Sequence, residues 1–214
     1  MRKTVISMAM FLGLIVFVLT GCTSSKPFDK LDVITYARAY GILEQTSSTN
    51  ARVAIDTFTG RSVPSSYYIS KDKDDAKYLY DKYVNKNNWY PQADIEEIMV
   101  VVAREEIVGA AVYDSHCYLM YFDDQAKAKA YYDACVSDVN SEHKNKTGYK
   151  NGYAYCISYK LSANRAGNCD WMKGVYLKGN SVILIDGFSP IDGRKTFTDY
   201  IFDKLHLVDP ITLK

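Results

Sequence analysis

The stretch YAYCISYKL, residues Tyr153–Leu161, decides the fold class of this chain because it alternates strictly. Its larger residues fall on one face of an extended segment and its smaller or polar residues on the other, which predicts a β-strand. Ile157 and Leu161 share a face with the tyrosines, and this favours burial of that face in a core. The alternative is an exposed aromatic binding surface, formed by Tyr153, Tyr155 and Tyr159 with the nearby Trp171.

Four further β-rich runs occur in pairs, as expected for antiparallel hairpins. One pair turns near Arg104–Glu106, and the other turns at Lys178–Asn180, where Gly179 suits a tight turn. The runs are Ile98–Ala103, Ile107–Tyr113, Trp171–Leu177 and Ser181–Ile185. Arg52–Thr59 also alternates and predicts a strand, whereas the charged segment Asn140–Lys150 predicts a long mobile loop.

Four helices are predicted from capping residues and acidic starts. Asp29 caps the first helix, and Gly41 ends it in the left-handed conformation. The other three follow strand-like runs and open at Asp72, at Asp123-Asp124 and at Ser189-Pro190. They extend to about Lys86, Asp138 and Leu205. Paired strands with interspersed helices predict an α+β fold, in which helices pack on one face of an antiparallel sheet.

A short motif recurs at an offset of 52 residues in two of these helices. The pattern Ala-Lys-x-x-Tyr-Asp-x-x-Val begins at Ala76 and again at Ala128. The recurrence predicts two related halves, residues 29–90 and 91–214, within one globular domain of residues 29–214. Chance similarity is the alternative, because the shared residues are common ones.

The N-terminus has the layout of a secretory signal. Two basic residues precede the apolar run Val5–Leu19, which is shorter than the roughly 18 to 20 residues that span a membrane. The run ends in Leu19-Thr20-Gly21-Cys22, which resembles the lipobox of bacterial lipoprotein precursors. The resemblance implies a signal peptide over residues 1–21, palmitate-like chains on Cys22 and a polar tether over residues 22–28. Two or three acyl chains would hold the protein on the cell membrane, facing outside the cytoplasm.

The order of elements also resembles that of small uncharacterised lipoproteins of Gram-positive bacteria. The shared features are a capped helix that ends at Gly41, strands, a helix opened by Asp72 with an Ala-Lys start, more strands and a final helix. The resemblance implies no activity that can be transferred residue by residue.

Charge and composition limit the partners of the mature chain. The 193 residues from Cys22 onward carry 24 Lys and Arg against 25 Asp and Glu. This near-neutral balance, without a basic cluster, argues against nucleic acid as a partner. Membrane attachment therefore depends on lipidated Cys22, since no polybasic segment assists it. The 19 tyrosines suit both half-buried strands and binding surfaces.

Four cysteines follow Cys22, an even number that permits two disulfides in an exported chain. Cys156 and Cys169 are the favoured pair, because a single turn-rich stretch separates them. Buried thiols are the alternative, since Cys packs well as a small apolar residue. The spacing of Cys117 and Cys135 with the other two matches no zinc site, and neither a metal nor a cofactor is predicted.

The sequence contains no convergent set of catalytic residues. His116 and Cys117 are adjacent, but neighbours on a strand point to opposite faces and cannot act as base and nucleophile. His143 lies in the charged segment, and His206 lies near the end of the last helix. The acidic run Asp72–Asp75 is explained by helix capping, because a calcium loop would need Gly at its sixth position.

We therefore expect a membrane-anchored envelope lipoprotein whose domain binds a ligand or partner without catalysis. The partner would be a protein, a glycan or a small ligand. An envelope hydrolase that uses scattered Cys, His, Asp or Glu residues is the alternative. A pocket that brings two or more candidate groups into hydrogen-bonding reach would favour the hydrolase. These groups are His116, His143, His206, Cys135 and Cys169.

Overall fold

One sheet of eight strands passes through the residues described by this computed structural model, which are 25–44, 65–86, 90–107, 111–139, 144–161, 169–190 and 195–214. The strands are β1 (Leu43–Glu44), β2 (Ser66–Ile69), β3 (Glu97–Ile107), β4 (Ala111–Tyr121), β5 (Lys144–Lys150), β6 (Tyr153–Lys160), β7 (Cys169–Lys178) and β8 (Ser181–Pro190). Their spatial order is β1-β2-β3-β4-β8-β7-β6-β5. Neighbouring strands are antiparallel except for the parallel pair of β1 and β2. The strand predicted over Arg52–Thr59 lies outside the described residues.

Helices cover both faces of this sheet. They are α1 (Lys30–Ala39), α2 (Lys73–Leu79) with a following π-turn (Tyr80–Val84), α3 (Gln125–Val139) and α4 (Phe197–Lys204), and a 3-10 turn (Pro210–Leu213) comes last. α1 and α4 pack on one face, called here the α1 face, whereas α2 and α3 pack on the other, called the α2 face.

The predicted α+β class is confirmed, but the prediction of helices on one face was wrong. The physical reason is visible in β8, where four consecutive apolar residues, from Val182 to Ile185, are fully buried. Successive side chains of a strand point to opposite faces, so such a run needs a cover on each side.

The ends of α1 are fixed by the residues that predicted them. The Asp29 side chain accepts a hydrogen bond from a first-turn backbone N–H at 2.8 Å. Gly41 follows at φ 89°, and its N–H donates to the carbonyl of Arg38. The N–H of Ile42 donates to the carbonyl of Ala37, and the Ile42 side chain is buried. These contacts form a Schellman motif, so the predicted cap is confirmed.

Helices α2 and α3 also begin at the predicted acidic residues. Asp72 accepts from the Asp75 N–H at 2.9 Å, and Asp124 accepts from the Lys127 N–H at 2.8 Å. The capping interpretation of these acidic runs is therefore confirmed. Both copies of the repeated motif bury their Ala and Tyr residues against the α2 face, namely Ala76, Tyr80, Ala128 and Tyr132. Two related halves stay a prediction.

The last helix begins later than predicted. Ser189 and Pro190 continue β8, where they pair with the first residues of β7. α4 starts after Thr196, which forms a capping box with Asp199. The spacing of Thr196 and Asp199 is itself a helix-start signal. Pro190 is tolerated at the end of a strand, where it interrupts no further ladder bond.

Two predicted connections were wrong, and a third is confirmed. Lys144–Lys150, predicted as part of a loop, is the edge strand β5. An edge strand needs no apolar face and often carries lysine, so its polar sequence did not mark it. Arg104–Glu106 lies within β3, where it pairs with residues 112–114 of β4. The turn between β7 and β8 is confirmed, with Gly179 at φ 58°.

The residues before α1 are attached to the sheet at the turn between β7 and β8. Ser25 Oγ accepts from the Gly179 N–H at 3.0 Å, and Ser181 Oγ accepts from the Phe28 N–H at 2.9 Å. Phe28 is buried, so the segment predicted as a tether contacts the domain from Ser25 onward. The lipobox lies outside the described residues. In the part of the chain that the structure describes, no helix is both long and apolar enough to cross a bilayer.

Candidate functional site

A pocket of about 740 Å³ opens on the α2 face, beside the π-turn that follows α2. Side chains of β2, β3, β4 and β8 line it from the sheet, and π-turn residues and Tyr90 complete the lining. We call it the His116 pocket. Its volume falls within the range of small-molecule sites, roughly 300–1,000 Å³. The polar and aromatic lining consists of Ser66, Tyr68, Asp81, Lys82, Tyr83, Lys86, Tyr90, Arg104, Asp114, His116, Tyr118 and Asp186.

The sheet side of the His116 pocket carries a row of polar residues on adjacent strands. His116 of β4 is opposite Asp186 of β8, which is in turn opposite Lys173 of β7. Directly opposed residues have Cβ atoms about 4.5–5.5 Å apart, so these three side chains are neighbours. Burial lowers the pKa of the His116 imidazole and raises the pKa of the Asp186 carboxyl, each against the pull of opposite charges nearby. The site therefore disfavours charge on either group.

The Tyr90 hydroxyl is buried in this pocket without a hydrogen-bond partner among the described residues. The residue is 7% exposed, and the Lys173 ammonium lies over its ring, with Nζ 4.3 Å from the ring centroid. The hydroxyl is near enough to the Asp186 carboxyl to lower its pKa, but the contact does not reach hydrogen-bond geometry. Buried polar atoms are nearly always hydrogen-bonded, so Tyr90 is an exception that requires an explanation.

Aromatic rings form a wall of the pocket and are held in place by the protein. The rings of His116 and Tyr118 are stacked, with centroids 5.6 Å apart and planes 8° apart. The Tyr118 hydroxyl donates to the Tyr83 carbonyl at 3.0 Å, which ties β4 to the π-turn. The Tyr83 ring lies 5.0 Å from the ring of Tyr68 on β2. The wall is thus preorganised before any ligand arrives.

Three charged side chains of the lining form ion pairs within the protein, and a fourth lies over an aromatic ring. Arg104 donates two hydrogen bonds to Asp114, from Nε to Oδ1 at 2.6 Å and from Nη2 to Oδ2 at 2.8 Å. Asp81 accepts from the Lys77 ammonium at 2.8 Å. Lys82 Nζ lies over the Tyr83 ring, 5.0 Å from its centroid. The charges of these groups are therefore largely compensated from within.

The described lining does not bring a nucleophile to a base. Ser66 lies in the same cross-strand row as His116, but two strands away, at a distance of about 10 Å. Cys117 points to the α1 face, as predicted, and burial raises the pKa of its thiol to about 12. Within the described ranges, no group of three His, Cys, Asp or Glu side chains is placed to hold a metal ion. The pocket is equipped to hydrogen-bond and to stack on a ligand.

The favoured interpretation of the Tyr-rich strand, burial in a core, is confirmed, and the alternative of an exposed binding surface was wrong. Tyr153, Tyr155 and Tyr159 are buried in the core of the α1 face. The Tyr153 hydroxyl donates to the His206 carbonyl at 3.1 Å, and the Tyr159 hydroxyl donates to the Asp170 carboxylate at 2.5 Å. Trp171 is 42% exposed and belongs to the opposite face, since it alternates with Met172 of the α1 core. These residues therefore form no common surface.

The disulfide predicted between Cys156 and Cys169 was also wrong. Both residues are buried thiols, and so are Cys117 and Cys135. Cys156 is opposite Val175 of β7, and Cys169 lies six residues earlier in that strand, about 20 Å away. A disulfide needs Cα atoms within about 7 Å. The alternative of buried thiols is correct for this pair.

Of the candidate catalytic groups within the described residues, His116 alone lines the pocket. Cys135 is a buried residue of α3, packed on the α2 face, and His206 follows α4 on the other face. His143 and the predicted lipid site Cys22 lie outside the described residues.

Sequence reasoning missed Asp186 and Tyr90. A signal for Asp186 existed, because it directly follows the buried apolar run that ends at Ile185. An acid at that position continues a strand whose neighbours are all buried, which is unusual without a function. Tyr90 follows no periodic segment, and nothing in the sequence marked it.

Comparison with known proteins gives little further information. No protein-family model matches the chain, and no curated protein matches it. Among solved structures, the chain is similar to the extracellular domain of PknH from Mycobacterium tuberculosis, with 14% sequence identity and a TM-score of 0.35. The similarity covers 65% of this chain and 77% of that one.

Proposed function

We propose that this chain is a lipid-anchored protein of the cell envelope that binds a small polar ligand in the His116 pocket without catalysis. The Tyr90 hydroxyl supports the binding role most directly, because Tyr90 lines the pocket and its buried hydroxyl has no hydrogen-bond partner among the described residues. A polar atom that is removed from water and left unbonded costs about 1–3 kcal/mol. A bound ligand that completes this hydrogen bond would explain why the group is retained.

The location proposal rests on the lipobox and on where the described chain begins. Ser25, three positions after Cys22, is attached to the turn between β7 and β8. Lipid on Cys22 would therefore hold that turn close to the membrane. Asp186 lies five residues beyond Ser181 in β8, about 17 Å from this end of the sheet. The pocket would thus lie near the middle of the sheet, at some distance from the end that is held at the membrane.

An envelope hydrolase is the second candidate, and one observation favours it. His116 and Asp186 are direct cross-strand neighbours, as a general base and its orienting acid would be. A hydrolase of this kind would need a nucleophile or a bound water beside His116. Ser66 is two strands away, so the binding role has the stronger support.

Lipid attachment is tested by labelling cells that make the protein with radioactive palmitate. We expect the wild-type chain to incorporate label and the Cys22→Ala variant to remain unlabelled and uncleaved. A variant that is still labelled or still processed would contradict the anchor.

Ligand binding is tested by thermal unfolding of the full chain with defined neutral, anionic and cationic small compounds. We expect at least one compound to raise the Tm of the wild-type protein and not that of Asp186→Leu. Lys144→Leu, on the remote edge strand β5, is the matched control and should respond like the wild type. Equal responses of all three proteins to every compound would contradict a site in this pocket.

A further inference from the structure

We infer that the His116 pocket binds a neutral ligand rich in hydroxyl groups, of the sugar class. This inference rests on the proposed binding function and specifies its ligand. Three properties of the pocket support it: the compensation of its charges, the mixed character of its hydrogen-bonding groups and its aromatic wall.

The charged groups on the sheet side of the pocket leave no strong site for an ion. Arg104 is held by both oxygens of Asp114, so its guanidinium is already occupied by a carboxylate. The Asp186 carboxyl is opposite both His116 and Lys173, and burial raises its pKa. A cationic ligand that approaches Asp186 would also meet Lys173. An anionic ligand would meet Asp186 beside the same lysine.

The hydrogen-bonding groups of the pocket are suited to hydroxyls. A carboxyl group accepts, a neutral imidazole has one donor and one acceptor, and a phenol both donates and accepts. Asp186, His116 and Tyr90 present these three types within one region of the lining. A hydroxyl group can serve each of them, because it donates one hydrogen bond and accepts two. A ligand with several neighbouring hydroxyls would satisfy the whole set.

The Tyr90 hydroxyl gives the most specific part of this match. It is buried, it belongs to a residue that lines the pocket, and no described residue, the nearby Asp186 included, completes a hydrogen bond with it. A ligand hydroxyl placed beside both groups would donate to the carboxyl and accept from Tyr90. Removal of the Tyr90 hydroxyl should therefore weaken binding without breaking a hydrogen bond of full geometry within the described protein.

The aromatic wall suits the apolar side of a sugar ring. The stacked rings of His116 and Tyr118 and the neighbouring Tyr68 and Tyr83 lie beside the polar row. A pyranose carries its hydroxyls at the ring edge and C–H groups on its faces. The electron-rich face of an aromatic ring attracts such C–H groups. A sugar would thus place its hydroxyls toward the polar row and a face against the wall.

The test is isothermal titration calorimetry on the full chain in detergent, with glucose, mannose, N-acetylglucosamine and its disaccharide as probes. We expect at least one sugar to bind, and Tyr90→Phe and Asp186→Asn each to weaken that binding at least tenfold. Tyr176→Phe is the matched control, because its hydroxyl donates to the Val208 carbonyl at 2.6 Å on the α1 face. It should leave the sugar affinity unchanged, and circular dichroism should show that all variants are folded.

Succinate, inorganic phosphate and choline serve as anionic and cationic probes in the same experiment. Binding of one of these ions that depends on Tyr90 and Asp186, with no binding of sugars, would overturn the sugar class and leave the proposed binding pocket standing. Sugar binding that is unchanged in both pocket variants would overturn the assignment to this pocket. Sugar binding that persists between 0.05 and about 0.5 M salt would support a neutral ligand, since ionic contacts weaken over that range.

Discussion

Two groups of polar residues lie back to back on strands β3 and β4, and they differ in how completely their hydrogen bonds are made. On the α1 face, the Glu105 carboxylate accepts from the Tyr40 hydroxyl at 2.7 Å and from the Phe197 N–H at 2.9 Å. Beside it, Ser115 accepts from the Thr198 hydroxyl at 3.0 Å. We call these residues the Glu105 cluster.

The His116 pocket occupies the other face of the same strands. Arg104 precedes Glu105 in β3, and His116 follows Ser115 in β4, so each pair of neighbours divides between the two faces. The Glu105 cluster joins α1 and α4 to the sheet, and its contacts are complete within the protein. The pocket leaves Tyr90 without a described partner. The difference indicates that the first group is structural, and it supports the proposal that the second binds a ligand.

The largest expected effect on stability follows from removal of the Glu105 carboxylate. Glu105→Ala would leave the Phe197 N–H and the Tyr40 hydroxyl without their acceptor, and each loss costs about 1–3 kcal/mol when the donor is buried. Because Phe197 is fully buried and Tyr40 only partly, we expect the free energy of unfolding to fall by about 2–4 kcal/mol in urea denaturation. Glu105→Gln keeps an acceptor oxygen and should lose less than half as much. Equal losses in the two variants would show that the acceptor is not what matters.

A matched pair of tyrosine substitutions compares the two groups directly. Tyr40→Phe breaks a hydrogen bond to a carboxylate and should cost about 1–2 kcal/mol. Tyr90→Phe removes a buried hydroxyl with no described partner, so it should leave stability unchanged or raise it by up to about 1 kcal/mol. Urea denaturation of both variants measures the contrast. A loss at Tyr90 equal to that at Tyr40 would mean that the Tyr90 hydroxyl is already satisfied.

Local chemistry explains which parts of the fold could be predicted from the sequence. The caps at Asp29, Gly41 and Asp72 depend on residues within one helical turn, and all three are confirmed. The turn at Gly179 is equally local. The cover on both faces of the sheet was missed, although the consecutive buried residues from Val182 to Ile185 signalled it.

The candidate site could not be predicted because its residues meet through long-range pairing. His116 and Asp186 are 70 residues apart in the sequence and become neighbours only because β4 lies beside β8. Hairpin reasoning pairs each strand with the next one along the chain, and it does not predict a pairing of this kind. Tyr90 joins them from a segment without regular structure. The sequence therefore predicted the direction of the His116 side chain relative to Cys117 but not what it faces.

The smallest expected effect is a difference in how the Glu105 cluster and the His116 pocket make protein stability depend on pH. Burial lowers the pKa of His116, although Asp186 and Asp114 raise it and Arg104 adds to the lowering. The unfolded chain therefore takes up the His116 proton first, starting near its ordinary pKa of about 6.5, and stability falls as the pH drops below that value. Glu105 behaves in the opposite sense, because burial raises its pKa and the folded protein takes up that proton first. Protonation of Glu105 therefore stabilises the folded protein only at lower pH. This gain begins as the pH falls through the raised pKa of Glu105 in the folded protein, and it is complete below the pKa of Glu105 in the unfolded chain.

The opposite effects of His116 and Glu105 on the pH dependence of stability can be separated, because they occur in different pH ranges. Between pH 7.5 and 6, His116→Gln should lose less stability than the wild-type protein in urea denaturation, because the uptake of the His116 proton by the unfolded chain is removed. In that range the free energy of unfolding of Glu105→Gln should change with pH as that of the wild type does, and the two should differ only in more acidic solution. Identical slopes for the wild type and His116→Gln would show that the imidazole is not shielded from water, and the His116 pocket would then be more open than its lining indicates.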